Sequence, residues 1–187
     1  DKVPLIDCFT APCKGGCPIH QDIPEYIELV RRGLYGPALK LITEKTPLPF
    51  LTGTICAHRC QNKCSRNFYD ESVHIRDTKL VAAEHGYGAL MASMKPTAKL
   101  PGKKAAIIGG GPTGIAAAYF LARGGVETTI FEREAKLGGV PRYVIPAFRI
   151  SDEALDKDVA LMERLGVEVK CGAPAPSVGE LKKRGYA

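Results

Sequence analysis

The sequence predicts a protein of the α plus α/β class: a helical first half with cysteine-bearing loops, then a second half built on a parallel sheet. Two observations predict this. All but one of the seven cysteines fall in the first third of the chain, and only Cys171 lies in the second half. The apolar pattern also changes, from helical spacing to short apolar runs that alternate with helices. Between the halves, "MKPTAKLPGKK" (94–104) has the proline, glycine and lysine content of an exposed linker, which puts a boundary near residue 100 and domains at 1–100 and 101–187.

In the first half, Asp22 is expected to cap a helix with Pro24 in its first turn and Ile23, Ile27 and Val30 at helical spacing. Ala38, Leu41 and Ile42 mark a second helix, stopped by "TPLP". A third and longer helix is expected over 76–94, with Leu80, Val81 and Leu90 apolar. In the second half, "KAAIIG" fits a buried strand, "TGIAAAYFLARGG" a helix ended by glycine, and "VETTIFE" a β-branched strand. "SDEALDKDVALMERLG" follows as a helix opened by Ser151 with Gly166 just past its end, and "VEVKC" as a further strand. The order βαβ…αβ means parallel strands joined by right-handed crossovers.

Composition narrows the function classes. A chain of 187 residues can bury roughly 70% of its unfolded surface, so disulfides are not required for folding. The net charge of +6 is spread among acids, with no basic block interleaved with aromatics, which argues against nucleic acid as a partner. Residues 105–122 carry no charge, but "GGGP" in their middle would leave backbone unsatisfied in lipid, so no membrane span is expected. With no signal-peptide pattern at the start, a cytoplasmic location is expected. The chain begins at Asp1 rather than Met, which suggests a piece of something longer.

"GGGPTG" places Gly109, Gly111 and Gly114 at GxGxxG spacing, just after a strand and at the start of a helix. The first glycine permits the tight turn, the second lets backbone approach a pyrophosphate, and the third lets helix and strand pack closely. The pyrophosphate then meets backbone N–H groups at the helix N-terminus. Glu132 ends the next strand, where a carboxylate can accept both ribose hydroxyls. This is a Rossmann-like dinucleotide site; FAD and NAD both use it.

The cysteines admit three readings. "CKGGCP" (13–18) echoes the ferredoxin pattern in which the cysteine before proline ligates the second of two clusters, and Cys56, Cys60 and Cys64 could present three thiolates. Zinc favours CxxC pairs and a closed set of four ligands. Disulfides or unligated thiols are the third reading, and disulfides suit a cytosolic-looking chain poorly.

"GGGPTGIAAAYFLARGG", "FEREAKLGGVPRYVIPAFRIS", "GCPIHQDIPEYIELV" and "TGTICAHRCQNKCSRN" resemble the FAD and iron–sulfur flavoproteins similar to the glutamate synthase small subunit. That group includes an N-terminal region of dihydropyrimidine dehydrogenase, and the cysteine-rich half looks most like a selenate reductase-type subunit. The resemblance covers essentially the whole chain. It implies a helical domain with two four-iron four-sulfur clusters before an FAD-binding sheet that is incomplete at its C-terminal end. FAD contacts are implied at Gly109, Gly110, Gly111, Pro112, Thr113 and Gly114, from Glu132 and Arg133 through Gly138, Gly139 and Val140, and at Arg149.

By the same carry-over one cluster takes Cys8, Cys13 and Cys64, and the other Cys17, Cys56 and Cys60. Each set is one ligand short, because Leu5 and Lys79 stand where relatives have a ligand. Asp7, His20, His58, His74 or a hydroxide could complete them, or only one cluster forms. The implied activity is that of an FAD- and iron–sulfur-dependent oxidoreductase: NAD(P)H gives a hydride to FAD, and single electrons pass through the clusters to a larger reductase or synthase subunit or domain. The NAD(P)H site is expected beyond residue 187, so the segment alone is not expected to oxidise NAD(P)H. Two other readings predict different behaviour: a docking module with a vestigial flavin site, and a zinc-stabilised interaction domain.

Overall fold

The computed structural model describes residues 10–187. Leu5, Asp7 and Cys8 lie outside the described residues. The first half is helical: α1 (Pro12–Gly16), α2 (Ile23–Arg31), α3 (Tyr35–Thr43), α4 (Pro49–Ile55) and α5 (Ile75–Ser93), with short 3-10 helices at Gln61–Lys63 and Ser65–Phe68. The second half runs β1 (Lys104–Ile108), α6 (Pro112–Arg123), β2 (Glu127–Phe131), α7 (Val140–Tyr143), α8 (Asp152–Glu163), β3 (Glu168–Lys170) and α9 (Val178–Lys183). Among the described residues, no helix is long and apolar enough to cross a membrane.

Asp22 stands at the cap position of α2, yet its side chain makes no capping hydrogen bond. Lys14 and Lys45 (2.6 Å) instead pair with its two carboxylate oxygens. Charge-assisted bonds are about twice as strong as neutral ones, so the two ammonium groups win the carboxylate over the backbone. Asp22 thus ties the ends of α1 and α3 together.

α4 is a helix within a region that the sequence pattern reads as a stop after α3. Pro49 opens it, and the helix crosses α5 closely enough that a Cβ at Gly53 would stand 3.0 Å from the Cα of Leu80. α5 begins at Ile75, and its buried stripe is Ile75, Lys79, Ala82, Ala83, Gly86 and Leu90. Leu80 and Val81, the apolar residues that suggested its inner face, are only half-buried. Small residues face inward because α3 packs so close: a Cβ at Gly86 would stand 2.4 Å from the carbonyl oxygen of Tyr35.

The sheet has three parallel strands in the order β1-β2-β3, with Ala106 opposite Thr129 and Ile130 opposite Val169. Ser151 caps α8 by accepting the N–H of Ala154 (3.2 Å), and Gly166 turns the chain toward β3 with φ +85°. Residues 94–103 carry no helix or strand. Even so, one apolar cluster joins the halves: Leu48, Phe50, Leu51, Ala83 and Leu90 pack with Tyr119, Leu155, Leu161 and Met162. A second cluster, with Ile23, Tyr26, Ala38, Ile42, Cys60 and Ile75, lies within the cysteine-bearing half.

Candidate functional site

The glycine loop leaves β1 at Gly109, whose N–H donates to the carbonyl of Phe131 (2.8 Å), and enters α6 with Gly111 at the cap and Pro112 in the first turn. No side chain caps α6, so its first N–H groups have no side-chain acceptor. Gly114 is demanded by packing: a Cβ there would lie 2.0 Å from the oxygen of Gly109. Gly138 and Gly139 form a second loop against the first. The N–H of Gly138 donates to the Gly110 carbonyl (2.8 Å), and Gly139 takes φ +56° with its Cβ direction 2.9 Å from the Gly111 Cα.

Glu132 locks both loops. Its Oε2 accepts the Gly110 N–H at 2.6 Å, and its Oε1 accepts the Glu134 N–H at 3.0 Å. Burial favours the neutral acid, but hydrogen bonds from the Glu134, Gly110 and Arg133 N–H groups outweigh it and hold the carboxyl below its ordinary pKa. The carboxylate therefore has a structural duty that the sequence did not disclose, while each oxygen keeps a lone pair for a hydroxyl.

A cleft of about 860 Å³ opens at this end of the sheet, bounded by Gly109, Glu132, Arg133, Gly139, Val140 and Tyr143. That volume suits a large cofactor. Gly110, Gly111, Pro112, Thr113, Gly114 and Gly138 form the loops behind it. Arg149 is placed differently. It lines a separate cavity of about 360 Å³ beside Phe50, Thr54, Leu80 and Glu84, because the turn closed by its N–H on Pro146 (2.8 Å) leads the chain back toward α4 and α5.

Arg142, which the sequence reading passed over, braces the second glycine loop. Its Nε donates to the Leu137 carbonyl (2.5 Å), its guanidinium reaches Asp156 (2.5 Å) and Asp152 (3.0 Å) on α8, and its side chain is 5% exposed.

In the first half, Cys13 on α1 and Cys17 at its end pack against the apolar cluster that contains Cys60. α1 abuts the 3-10 helix after Cys60, with the Cβ direction of Gly16 3.3 Å from the Cα of Cys60. Cys56 caps the end of α4, and Cys64 ends the 3-10 helix Gln61–Lys63. All the described cysteines are free thiols, so the disulfide reading has no support among them.

Burial raises the pKa of Cys13, with Cys64 a further upward influence; burial raises that of Cys60, with Cys17 and Cys56 acting the same way. Among the described residues, no three His, Cys, Asp or Glu side chains converge closely enough to hold a single metal ion. A four-iron cube needs its thiolates farther apart than one zinc ion does, so the lack of a single-ion site counts against preformed zinc coordination and leaves a cluster open.

Two polar features also fit such a group. His58, between Cys56 and Cys60, holds φ +40°, donates its N–H toward the Cys56 sulfur (3.4 Å), and keeps a buried Nδ1 without a partner. Lys79 is buried at 8% exposure beside Cys56, Cys17 and Cys60. His20 and His74 are exposed, and His74 approaches Asp77 at 3.4 Å. Cys171 packs against the larger core cluster.

Comparison with known proteins agrees with this division of chemistry. Residues 5–88 match the family described as dihydropyrimidine dehydrogenase domain II, 4Fe-4S cluster, and residues 107–165 match the NAD(P)-binding Rossmann-like domain. The chain is 43% identical to the "Putative oxidoreductase YgfK" of Escherichia coli over its full length, covering 18% of that protein. It is 36% identical to NADPH-Fe(3+) oxidoreductase subunit beta of Geobacter sulfurreducens, with 88% of this chain and 25% of that protein aligned. It is 34% identical to the glutamate synthase [NADPH] small chain of Mycobacterium tuberculosis, with 89% of this chain and 34% of that protein aligned. The chain thus spans between 18% and 34% of the length of these relatives. A match to the iron–sulfur module of the dihydropyrimidine dehydrogenase domain II type thus precedes a match to a Rossmann-like nucleotide module, and along most of its length the chain is similar to part of the glutamate synthase small chain.

Proposed function

We propose that the chain is the electron-transfer segment of a larger NAD(P)H-dependent oxidoreductase, with an iron–sulfur unit at 1–100 and an FAD-binding unit at 101–187. The observation that carries the reading is the pairing of a cysteine-bearing module that matches an iron–sulfur family with a glycine-walled cleft beside Glu132. Cys13 and Cys64, with Cys8, are the ligands proposed for one four-iron four-sulfur cluster, and Cys17, Cys56 and Cys60 those for the other. Bound flavin would accept two electrons together and release them singly, and clusters span roughly −700 to +450 mV according to their surroundings.

The chain's own residues do the positioning. Gly109 to Gly114 present backbone N–H groups to a pyrophosphate, Glu132 offers its remaining lone pairs to ribose hydroxyls, and Gly138 to Val140 close the cleft. Reduced nicotinamide as donor and a larger subunit or domain as acceptor are supported by the relatives, two of which are named for NADPH and described as a subunit or small chain.

The test is anaerobic purification, an absorbance spectrum, and iron, sulfide, zinc and flavin counted per chain. About eight irons with one FAD is the expected result, and about four would leave one proposed set without a cluster. Zinc without iron would replace the reading with a zinc-stabilised domain. Folded, colourless protein that takes up neither iron nor flavin on reconstitution would leave only a docking role.

A further inference from the structure

We infer that Lys79 is a charge-balancing residue for the site of Cys17, Cys56 and Cys60, holding a buried ammonium against the negative charge gathered on those sulfurs and so favouring the reduced state of the redox group bound there. The inference rests on the iron–sulfur reading proposed above.

The geometry starts from α5. Its inward stripe is Ile75, Lys79, Ala82, Ala83, Gly86 and Leu90, spaced as one helical face, and Lys79 is the charged member of it. One turn before it, Ile75 belongs to the apolar cluster against which Cys13 and Cys17 pack and which includes Cys60. Leu80, next in sequence, abuts Gly53 of α4, and Cys56 caps the end of that helix. Lys79 therefore lies where α5 passes the cysteine-bearing loops, with 8% of its surface exposed.

A lysine at a core position is heavily disfavoured unless opposite charge lies close. Burial lowers the Lys79 pKa, and the groups that act to raise it are, in order, Cys56, Cys17, Cys60 and Asp158. Asp158, whose oxygens also accept the N–H groups of Phe50 and Leu51, can supply part of the balancing charge when ionised. Neutral thiols add none, whereas iron-bound thiolates would add negative charge on the side of α5 that faces the cysteine loops. An ammonium has no lone pair, so in its charged form Lys79 acts through its charge and not as an iron ligand.

One-electron reduction by bound flavin, or by dithionite in the test, adds one negative charge to the site and moves no proton at Lys79. A fixed positive charge nearby favours that state, so a neutral side chain of similar length should make it harder to reach.

The experiment uses anaerobically purified wild-type protein, K79M and K79R. Iron is counted per chain, and the midpoint of each iron–sulfur signal is followed by electron paramagnetic resonance during dithionite titration. K79M should retain the wild-type iron and need a lower potential. At the wild-type midpoint its reduced-to-oxidised ratio for one signal should fall about tenfold, equivalent to about 59 mV for one electron, while K79R should stay near the wild-type value. Iron lost from K79M but kept by K79R would also support the charge role. An unchanged K79M midpoint, a K79R midpoint shifted as far as that of K79M, or iron lost from both variants would overturn it. Wild-type protein without iron would instead overturn the iron–sulfur reading itself, so the two failures are distinguishable.

Discussion

Asp158, on α8, holds the N-terminus of α4: its Oδ2 accepts the N–H of Leu51 at 2.8 Å and its Oδ1 accepts the N–H of Phe50 at 3.0 Å. Pro49 has no N–H to satisfy, and Leu48, at the cap position, offers no side-chain acceptor. A carboxylate from the nucleotide-binding half therefore caps a helix of the cysteine-bearing half. It is also fully buried, at 0% exposure.

Removing that cap should be costly. D158A leaves two buried N–H groups without a partner, and a loss of about 2–4 kcal/mol is expected, at about 1–3 kcal/mol per unsatisfied buried group with some relaxation. Denaturant unfolding checks it. D158N, which can accept only through its carbonyl oxygen, should fall between wild type and D158A.

The same residue carries a pH signature. Burial pushes the Asp158 carboxyl up to about 7, against the opposing pull of the Leu51 and Phe50 N–H groups and of Lys79. The folded-state pKa is thus above the unfolded one, so the folded state binds the extra proton between about pH 4 and 7. The resulting stability is fully present below about pH 4 and is lost as pH rises to about 7. The stability advantage of wild type over the non-titrating D158N should therefore shrink as pH rises through that window. An advantage that grows with pH would show that the carboxylate is ionised throughout.

Two nearby glycines of α5 predict opposite outcomes. Gly88 is exposed in the helix and has nothing within 4 Å of its Cβ direction, so G88A should stabilise by about 0.5–1 kcal/mol. G86A would push a methyl to 2.4 Å from the Tyr35 carbonyl oxygen, forcing α3 and α5 apart, and should destabilise by about 1–3 kcal/mol. Thermal melting of the two variants side by side decides.

Arg142 should matter for the nucleotide site more than for the cysteine site. R142M removes the hydrogen bonds to Leu137 and Asp156 and the ion pair with Asp152 that brace Gly138 and Gly139. Flavin content after reconstitution should fall at least tenfold while iron per chain is unchanged. Equal loss of both would mean that Arg142 supports the fold as a whole.

Single cysteine replacements test the proposed grouping. C60A and C64A should each reduce iron by about four per chain and leave different electron paramagnetic resonance signals behind, and the double variant should hold none. C171A should leave iron content unchanged. Identical residual signals in C60A and C64A would mean that one cluster draws on both groups.

What the sequence by itself determined is local in origin. The apolar run of β1, the glycines of the following turn, the β-branched β2 and the Ser151 cap are patterns spanning a few residues, and the structure forms each of these elements, although β1 is only half-buried and Ile108 at its end is exposed rather than in the core. The glycine cleft and the helical character of the first half were legible for the same reason.

Tertiary structure decided the rest. α4 is short, contains glycine and β-branched residues, and takes its cap from Asp158, far away in sequence, so no local signal announces it. Asp22 has a capping residue's identity and position, but Lys14 and Lys45 outbid the backbone for its carboxylate. The burial of Lys79 is likewise invisible in a sequence where lysine ordinarily means surface. Only the packing of α3 and α4 against α5 turns that position inward.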